Sequence, residues 1–292
     1  MSYDLFFRAR DKGQSFTQSD FDAYFRSRKN YTVEKRQAIY QNESTDVYFI
    51  FDFGQQEEDA LAPFAFNLNY FRPHFFGLEA EPELAAFIKH FNLLVSDPQV
   101  SGMGDGEYTA EGFLTGWNNG NEFGCKCILS QNPSQQIWTM TYDKIEAYWK
   151  WNHAKDAFQE RIGDNVFVPR IMMFENQGQL VSGVAWGDGI PIMLPEVDIV
   201  IIPRQELAPR SFFGKTKEDM VVVKWADLLW ILSEFQKETT VVPFYKLDYA
   251  SRPQAVESFV CKQKTMKPKL TMIPMDQVID QEIVERNRKM GS

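Results

Sequence analysis

The clearest hydrophobic pattern lies in the first third of the chain, where apolar side chains fall on alternate positions in three successive runs. The runs are residues 38–42, 47–53 and 63–70. Alternation with a period of two is the pattern of a sheet that buries one face. The connections between the runs are polar, acidic and rich in turn-forming residues. The sequence therefore predicts three consecutive strands that supply half of a core.

A helix is predicted before these strands, from Thr17 to about residue 28. The Thr17 hydroxyl can accept from the first turn, and Asp20 stands at the acidic position of a capping box. Phe16 and Phe21 have the spacing of a hydrophobic staple. The apolar side of this helix is expected to lie on the sheet.

A second helix is predicted from Pro82, because proline suits the first turn of a helix. Its apolar residues recur at helical spacing and are Leu84, Phe87, Ile88 and Phe91. Residues 3–8 and 93–96 add strand patterns. Residues 1–100 are therefore predicted to form an α+β domain with helices against an antiparallel sheet.

A domain boundary is predicted at residues 102–106, where three of five residues are glycine. The second domain, residues 101–292, is expected to begin with a helical hairpin, from helices at 109–131 and 142–162. In the first of these helices, five residues are predicted to be available for burial: Phe113, Leu114, Trp117, Phe123 and Cys127. Its glycines at 112, 116, 120 and 124 lie along one side, which predicts the close approach of another element.

A mixed α/β part is predicted to follow the hairpin. Four β-rich runs are expected to pair as hairpins: residues 166–174, 180–186, 190–194 and 197–202. Beyond them the pattern predicts strands alternating with helices: strands at 220–224, 240–245 and 270–273, and helices at 225–235, 253–261 and 275–286. Parallel pairing is possible in that last region.

Composition narrows the class of protein. The chain has 292 residues, a net charge of −9 and three cysteines, and it lacks both a long apolar run and a signal-peptide pattern. We therefore expect a cytoplasmic protein without a membrane partner. Residues 41–100 alone carry ten acids and two bases. Such a balance argues against binding to nucleic acid.

Metal and cofactor motifs are not found. Cys125 and Cys127 have no second pair of ligands at zinc-finger spacing, so we expect packing residues rather than a metal site. The three histidines each stand among aromatic residues and are predicted to pack there. Nucleotide-binding, metalloprotease and serine-hydrolase signatures are also missing from the sequence. The sequence predicts no cofactor and no catalytic residue.

One enzyme alternative remains open. Asp188, Glu196 and Asp198 stand close together in the β-rich region, and Asp198 enters an apolar run where a carboxylate needs a partner or a metal. A metal-dependent hydrolase could use these three groups. The competing interpretation is that Asp198 binds backbone donors at the end of a hairpin.

The acidic connections of the predicted sheet are the candidate binding surface. They carry five carboxylates: Glu43, Asp46, Glu57, Glu58 and Asp59. The plain interpretation is a solvated surface, and the alternative is a patch that attracts a basic partner. Aromatic surfaces around Trp149 and Trp151 are the next candidates.

Several segments carry a family resemblance. They are residues 1–7 (MSYDLFF), 42–49 (NESTDVYF), 116–121 (GWNNGN), 186–191 (WGDGIP) and 194–198 (LPEVD). These segments resemble uncharacterised bacterial cytoplasmic proteins, some of which look like immunity partners of polymorphic or type VI secreted toxins. The resemblance implies a non-enzymatic protein that binds and neutralises a cognate toxin by occlusion. It assigns no role to any residue.

Overall fold

The computed structural model describes residues 1–54, 63–99, 101–132, 134–209, 218–265 and 269–290. Its helices are α1 (Gln18–Arg26), α2 (Phe75–Phe91), α3 (Ala110–Gln131), α4 (Tyr142–Ile162), α5 (Trp225–Leu232), α6 (Gln254–Lys262) and α7 (Gln281–Met290). Its first strands are β1 (Ser2–Ala9), β2 (Tyr31–Glu34), β3 (Gln37–Asn42), β4 (Val47–Phe53), β5 (Phe64–Asn69), β6 (Leu93–Ser96), β7 (Asp105–Gly106) and β8 (Trp138–Met140). The later strands are β9 (Met172–Asn176), β10 (Gln179–Ala185), β11 (Ile192–Pro195), β12 (Ile199–Arg204), β13 (Asp219–Lys224), β14 (Gln236–Thr239), β15 (Pro243–Leu247), β16 (Leu270–Ile273) and β17 (Val278–Asp280).

The chain divides into two compact units. Unit 1 comprises Met1–Tyr142 and Asp276–Ser292, and unit 2 comprises Asp143–Met275. The boundary predicted at residues 102–106 lies inside unit 1. There the backbone N–H of Asp97 donates to the carbonyl of Gly104, and β7 pairs with β6. Gly104 and Gly106 have φ angles of 68° and 149°, so these glycines allow a tight turn within the unit.

The main sheet of unit 1 confirms the predicted α+β class. Seven antiparallel strands lie in the order β2-β3-β4-β5-β1-β6-β7. The three strands that the alternating pattern predicted are β3, β4 and β5, within one residue of the predicted bounds. In β4, Val47, Phe49 and Phe51 are buried while the residues between them are partly exposed. The period of two thus separates the core side from the outer side.

Helix α1 packs on this sheet through phenylalanine rings. Thr17 caps the helix, and the capping box with Asp20 is formed as predicted. Phe21 stacks near Phe64 with ring centroids 6.0 Å apart, and Phe25 lies 5.0 Å from Phe51. Burying each such ring contributes about 1.5 to 3 kcal/mol, so this aromatic layer stabilises the packing of α1 on the sheet.

Helix α2 corrects the predicted start at Pro82. The helix begins at Phe75, and Pro82 lies in its interior, where proline costs about 3 kcal/mol. Phe75 and Phe76 are fully buried within the added turns. Their burial contributes roughly 3 to 6 kcal/mol together, enough to offset the proline. The helix ends at Asn92, which adopts a left-handed conformation.

Helix α3 confirms the packing role of its glycines. A Cβ on Gly116 would lie 2.4 Å from the Tyr3 hydroxyl, and one on Gly120 would lie 2.1 Å from the Tyr70 hydroxyl. The glycine face therefore lets the two tyrosines lie against the helix. Phe113 and Trp117 are buried as predicted, but Phe123 is 63% exposed.

The C-terminal segment differs from the predicted helix at residues 275–286. Strand β17 comes first and pairs in parallel with β8, and α7 follows from Gln281. Helix α7 and β17 close an apolar cluster of Cys125, Leu129, Ile279 and Val284. Cys125 is therefore a packing residue as predicted, whereas Cys127 is partly exposed. The predicted helical hairpin is not a local unit, since α3 belongs to unit 1 and α4 beyond Tyr142 to unit 2.

Unit 2 is built on a mixed sheet with the strand order β13-β12-β10-β9-β16. Strands β9 and β10 form one of the predicted hairpins, but β10 and β12 are parallel. Strand β11 lies in a second sheet with the order β11-β15-β14. The predicted hairpins after β10 are therefore wrong, because β11 pairs with a strand about 50 residues later instead of its chain neighbours.

Candidate functional site

The net charge is concentrated in unit 1. This unit carries 23 acidic and 14 basic residues, whereas unit 2 carries 17 of each. The whole net charge of −9 therefore belongs to unit 1. A surface that attracts basic macromolecules is best sought there.

The turn between β3 and β4 presents the first two candidate carboxylates. Glu43 is exposed and Asp46 is partly buried. The carbonyl of Asn42 accepts from the backbone N–H of Asp46 at 2.8 Å, and the Asn42 side-chain oxygen accepts from Ser44 at 3.0 Å. Asp46 has a φ of 61°, a left-handed conformation that Asp and Asn adopt more readily than most residues. Hydrogen bonds to the backbone and side chain of Asn42 thus fix the conformation of the turn.

A buried carboxylate below the turn, Glu79 of α2, holds it from inside. Glu79 is only 2% exposed. One of its oxygens accepts from the Tyr40 hydroxyl at 2.8 Å, from Asn42 Nδ2 at 2.7 Å and from the Thr45 hydroxyl at 3.0 Å. Burial, followed by the negative charge of Glu79, raises the pKa of Tyr40, so this hydroxyl stays protonated as a donor. We call Glu79 and these three partners the Glu79 cluster.

The sequence prediction missed Glu79 because it began the helix at Pro82. A helix that begins at Phe75 places Glu79 next to Ala80 within its buried turns. A carboxylate among buried positions needs donors, and Asn42 and Thr45 in the adjacent acidic segment supply them. The donors Asn42 and Thr45 could therefore have pointed to a buried carboxylate, but a helix predicted to begin at Pro82 does not include Glu79.

The C-terminal segment adds charge beside the turn. Asp276 Oδ2 lies 3.7 Å from Arg72 Nε, and that nitrogen donates to the Tyr48 hydroxyl at 3.0 Å. Burial raises the pKa of Asp276; Arg72 opposes this shift and the nearby charge of Asp46 adds to it. The Arg72 guanidinium also lies over the Tyr48 ring, with Cζ 5.5 Å from the ring centroid.

The other three candidate carboxylates, Glu57, Glu58 and Asp59, lie outside the described residues. In the sequence they follow Gly54, and the end of β4 nearest to Gly54 is the one opposite the Glu43 turn. Strand β4 spans about 20 Å between its two ends. The two acidic segments therefore flank β4 in the sequence, one before it and one after it.

The enzyme alternative places its three carboxylates in unit 2, where each has partners. Asp188 accepts from the backbone N–H groups of Gln205, Glu206 and Leu207 at 3.0 to 3.1 Å. This arrangement is a backbone-donor cap, which needs no metal. Glu196 forms an exposed ion pair with Lys237 at 3.4 Å.

Asp198 is bound by both side chain and backbone of Ser182. Its Oδ2 accepts from Ser182 N at 2.8 Å and from the Ser182 hydroxyl at 2.7 Å, and Lys144 Nζ lies 3.4 Å from Oδ1. Burial opposes ionisation of Asp198, but the Ser182 bonds and the Lys144 charge outweigh it and lower its pKa. Ser182 is fully buried, so its hydroxyl cannot reach a bound substrate.

Glu196 and Asp198 line one open groove of about 910 Å³, together with Lys144, Tyr148 and Trp225. Asp188 is not among the lining residues. Within the described ranges, no group of three or more His, Cys, Asp and Glu side chains could hold a metal ion. The structure thus brings together two of the three predicted carboxylates, each paired with a lysine.

The exposed aromatic surface is not at the predicted residues, Trp149 and Trp151, but on α5. Trp151 is fully buried and donates its indole N–H to the carbonyl of Pro169, and Trp149 is 8% exposed. Neither can anchor a partner. Trp230 is 57% exposed and Leu229 is 46% exposed on the same helix, α5. The indole of Trp230 rests against Phe259 with ring centroids 6.0 Å apart. Leu229 and Trp230 thus form an exposed apolar surface on unit 2, with the buried Phe259 beside it.

The histidines pack against aromatic rings as predicted. The His74 ring stacks on Tyr142 at 3.6 Å, and Asp280 binds its Nδ1 at 2.5 Å. His90 lies 4.6 Å from Tyr24, and His153 lies 5.6 Å from Trp149.

Comparison with protein-family models, with curated proteins and with solved structures found no match to this chain. In the part of the chain that the structure describes, no helix combines the length and the apolar character needed to cross a bilayer.

Proposed function

We propose that this protein binds a cognate secreted bacterial toxin in the cytoplasm and neutralises it by occlusion, through a surface that includes Glu43 and Asp46. The observation that carries the proposal is the Glu79 cluster, which fixes the acidic turn from inside the core. The resemblance to immunity proteins agrees with it. We extend the proposed surface to Glu57, Glu58 and Asp59, and we propose neither a nucleic-acid nor a membrane partner.

Two physical effects make a fixed acidic turn useful for binding. A turn that is already ordered loses less conformational entropy when a partner binds. An excess of negative charge on one unit speeds the approach of a basic partner, by a factor of ten or more at low salt. Inhibition by occlusion requires rapid association with the toxin and a stable binding surface. It requires no catalytic group.

The open groove of unit 2 favours a second candidate function. A small-molecule enzyme could use Glu196 and Asp198 as its acid and base, with Tyr148 and the two lysines around them. The two functions differ in what they require. The enzyme needs no macromolecular partner, while the binding protein keeps its activity when Glu196 and Asp198 are changed to Gln and Asn.

The test begins with the product of the neighbouring gene, co-expressed with this protein. We expect the two to copurify and the pair to restore growth that the neighbour alone prevents. A neighbour product that neither binds nor harms the cell would contradict the proposal. Turnover of a small molecule that disappears with Glu196→Gln would instead favour the enzyme.

The acidic turn is tested by association kinetics. A variant with Glu43→Lys and Asp46→Asn should associate at least about tenfold more slowly at low ionic strength, and the difference should shrink at high salt because charges are screened beyond about 10 Å. Asn is used at position 46 because it tolerates the left-handed backbone. Asp105→Lys on the far edge strand β7 is the control for altered net charge. Equal slowing by the control would remove the turn from the interface.

A further inference from the structure

A groove of about 680 Å³ in unit 1 is used by none of the functions above. It runs between the start of β1, the end of β5, the loop after β6 and the glycine face of α3. The lining residues that decide its chemistry are Met1, Asp4, Tyr70, Gln99, Asn119 and Phe123.

The walls of the groove are unusually apolar for an exposed site. Met1 is 68% exposed and Phe123 is 63% exposed, the two highest values among the large hydrophobic side chains that the structure describes. Both lie in this one groove. On the helix side of the groove, Gly116 and Gly120 add no side chains, and the hydroxyl groups of Tyr3 and Tyr70 lie against them. Exposed apolar groups gathered at one concave site mark a binding surface rather than scattered solvent contact.

The groove is also negatively charged. Asp4 lines it, with oxygens that accept from Ser2 Oγ at 2.9 Å and from Asn67 Nδ2 at 2.5 Å. Asp97 lies behind it and is only 4% exposed; it accepts from the Tyr3 hydroxyl and, at 2.8 Å, from the backbone N–H of Met103. All of these donors are neutral.

Neither of these two acids is paired with a basic side chain that the structure describes. Among the described residues, Asp4 and Asp97 form no ion pair with Lys, Arg or His, and none of those residue types lines the groove. Burial, with the charges of Asp4 and Asp97 next, raises the pKa of Tyr70 to about 12, which agrees with a negative potential at this wall. The two carboxylates outnumber the α-amino group of Met1, which also lines the groove, so a bound cation would meet a net attraction.

We propose that this groove receives an arginine side chain of a protein partner. The aliphatic stem and planar guanidinium would lie along Phe123 and Tyr70, and the guanidinium would donate to Asp4, with Gln99 and Asn119 as further polar groups. Arginine fits better than lysine because its flat cation stacks on aromatic rings and carries several donors. The identity of the partner as a toxin rests on the proposed function; the arginine site itself does not.

The site is tested first without any partner protein. The probe is Nα-acetyl-arginine methylamide, titrated into protein labelled with ¹⁵N-glycine, and the matched probe is the citrulline compound, which is uncharged and nearly the same in shape. We expect the amide signals of Gly116 and Gly120 to shift with a Kd of about 1 to 10 mM for arginine. Citrulline should bind at least about tenfold more weakly.

Variants assign the binding to the groove. Asp4→Asn and Phe123→Ala should each weaken arginine binding at least about fivefold. Phe123 is exposed, so its removal leaves the fold intact, and Asp105→Asn serves as a control for charge alone. Equal binding of citrulline, unaltered binding to both variants or shifts without change at Gly116 and Gly120 would overturn the proposal; Gly102 and Gly124 adjoin the groove and are allowed to shift.

A second experiment tests the arginine site and the proposed toxin binding independently of each other. If the neighbouring gene product fails to bind, the toxin proposal fails, while the arginine titration still decides the groove. If that product binds, Phe123→Ala should raise its dissociation rate at least about tenfold. An unchanged dissociation rate would contradict the use of this groove by a protein partner.

Discussion

At the scale of single residues, Glu79 decides how the acidic turn is held. A buried carboxylate is costly unless donors surround it, and Tyr40, Asn42 and Thr45 provide three. Each of these donors would in turn be buried without Glu79 as acceptor. The turn and the helix therefore stabilise each other through one oxygen atom.

Replacement of Glu79 measures this coupling. Glu79→Ala leaves three buried donors without their acceptor, so the free energy of unfolding should fall by about 3 kcal/mol or more. Glu79→Gln keeps an oxygen at the same place and should cost clearly less. Urea denaturation of both variants gives the comparison, with exposed Glu43→Ala as the control. Equal costs for Gln and Ala would show that the charge, and not the acceptor geometry, holds the turn.

At the scale of elements, α3 shows that a row of glycines can be a fitted surface. Gly120 meets the Tyr70 ring, and Gly116 meets the hydroxyl end of Tyr3. Without these glycines, Tyr3 of β1 and Tyr70, which directly follows β5, could not lie against the helix. The helix gives up intrinsic stability, since each glycine costs about 1 kcal/mol relative to alanine.

Alanine substitutions on this face should differ between neighbouring turns. Gly120→Ala places a Cβ 2.1 Å from the Tyr70 hydroxyl and should destabilise by about 1 to 2 kcal/mol, because overpacking exceeds the gain in helix propensity. Gly124→Ala is the matched control, since its nearest contact is 3.2 Å and its effect should lie near zero. Thermal or urea unfolding decides between them. A stabilised Gly120→Ala would mean that Tyr70 moves away freely.

The elements also show what can be predicted from the sequence and what cannot. Alternation in β4 and the cap at Thr17 are local signals, and both elements formed as predicted. The parallel pairing of β10 with β12 depends on contacts between distant parts of the chain, which periodicity does not encode. The candidate acids were visible as charges, but Glu79 beneath them required a correct helix start.

At the scale of the whole molecule, unit 1 is discontinuous in sequence. Asp280 is fully buried and accepts from the backbone N–H of His74 at 2.8 Å, and β17 pairs with β8. Ile279 and Val284 cover Cys125 and Leu129. The last segment is therefore part of the core of unit 1. Its removal should destabilise that unit.

Thiol labelling of Cys125 can measure how well the last segment covers it. Cys125 is buried, and burial raises its pKa to about 11, so it should react very slowly with a thiol reagent at neutral pH. Val284→Ala together with Asp280→Ala should increase its rate of labelling at least about tenfold. Cys261 is exposed and acts as an internal control whose rate should not change. Mass spectrometry identifies the labelled cysteine, and an unaltered Cys125 rate would contradict the closing role of the segment.

The two-part construction of unit 1 also imposes an order on biosynthesis. A ribosome that has completed Tyr142 must still translate the whole of residues 143–275 before the closing segment emerges. At about 5 to 20 residues per second this takes roughly 7 to 27 s. During that interval the nascent chain carries its acidic strands and turn without β17 and α7. A chain released early by a nonsense codon or a stalled ribosome would lack β17 and α7, and the apolar cluster around Cys125 would stay uncovered.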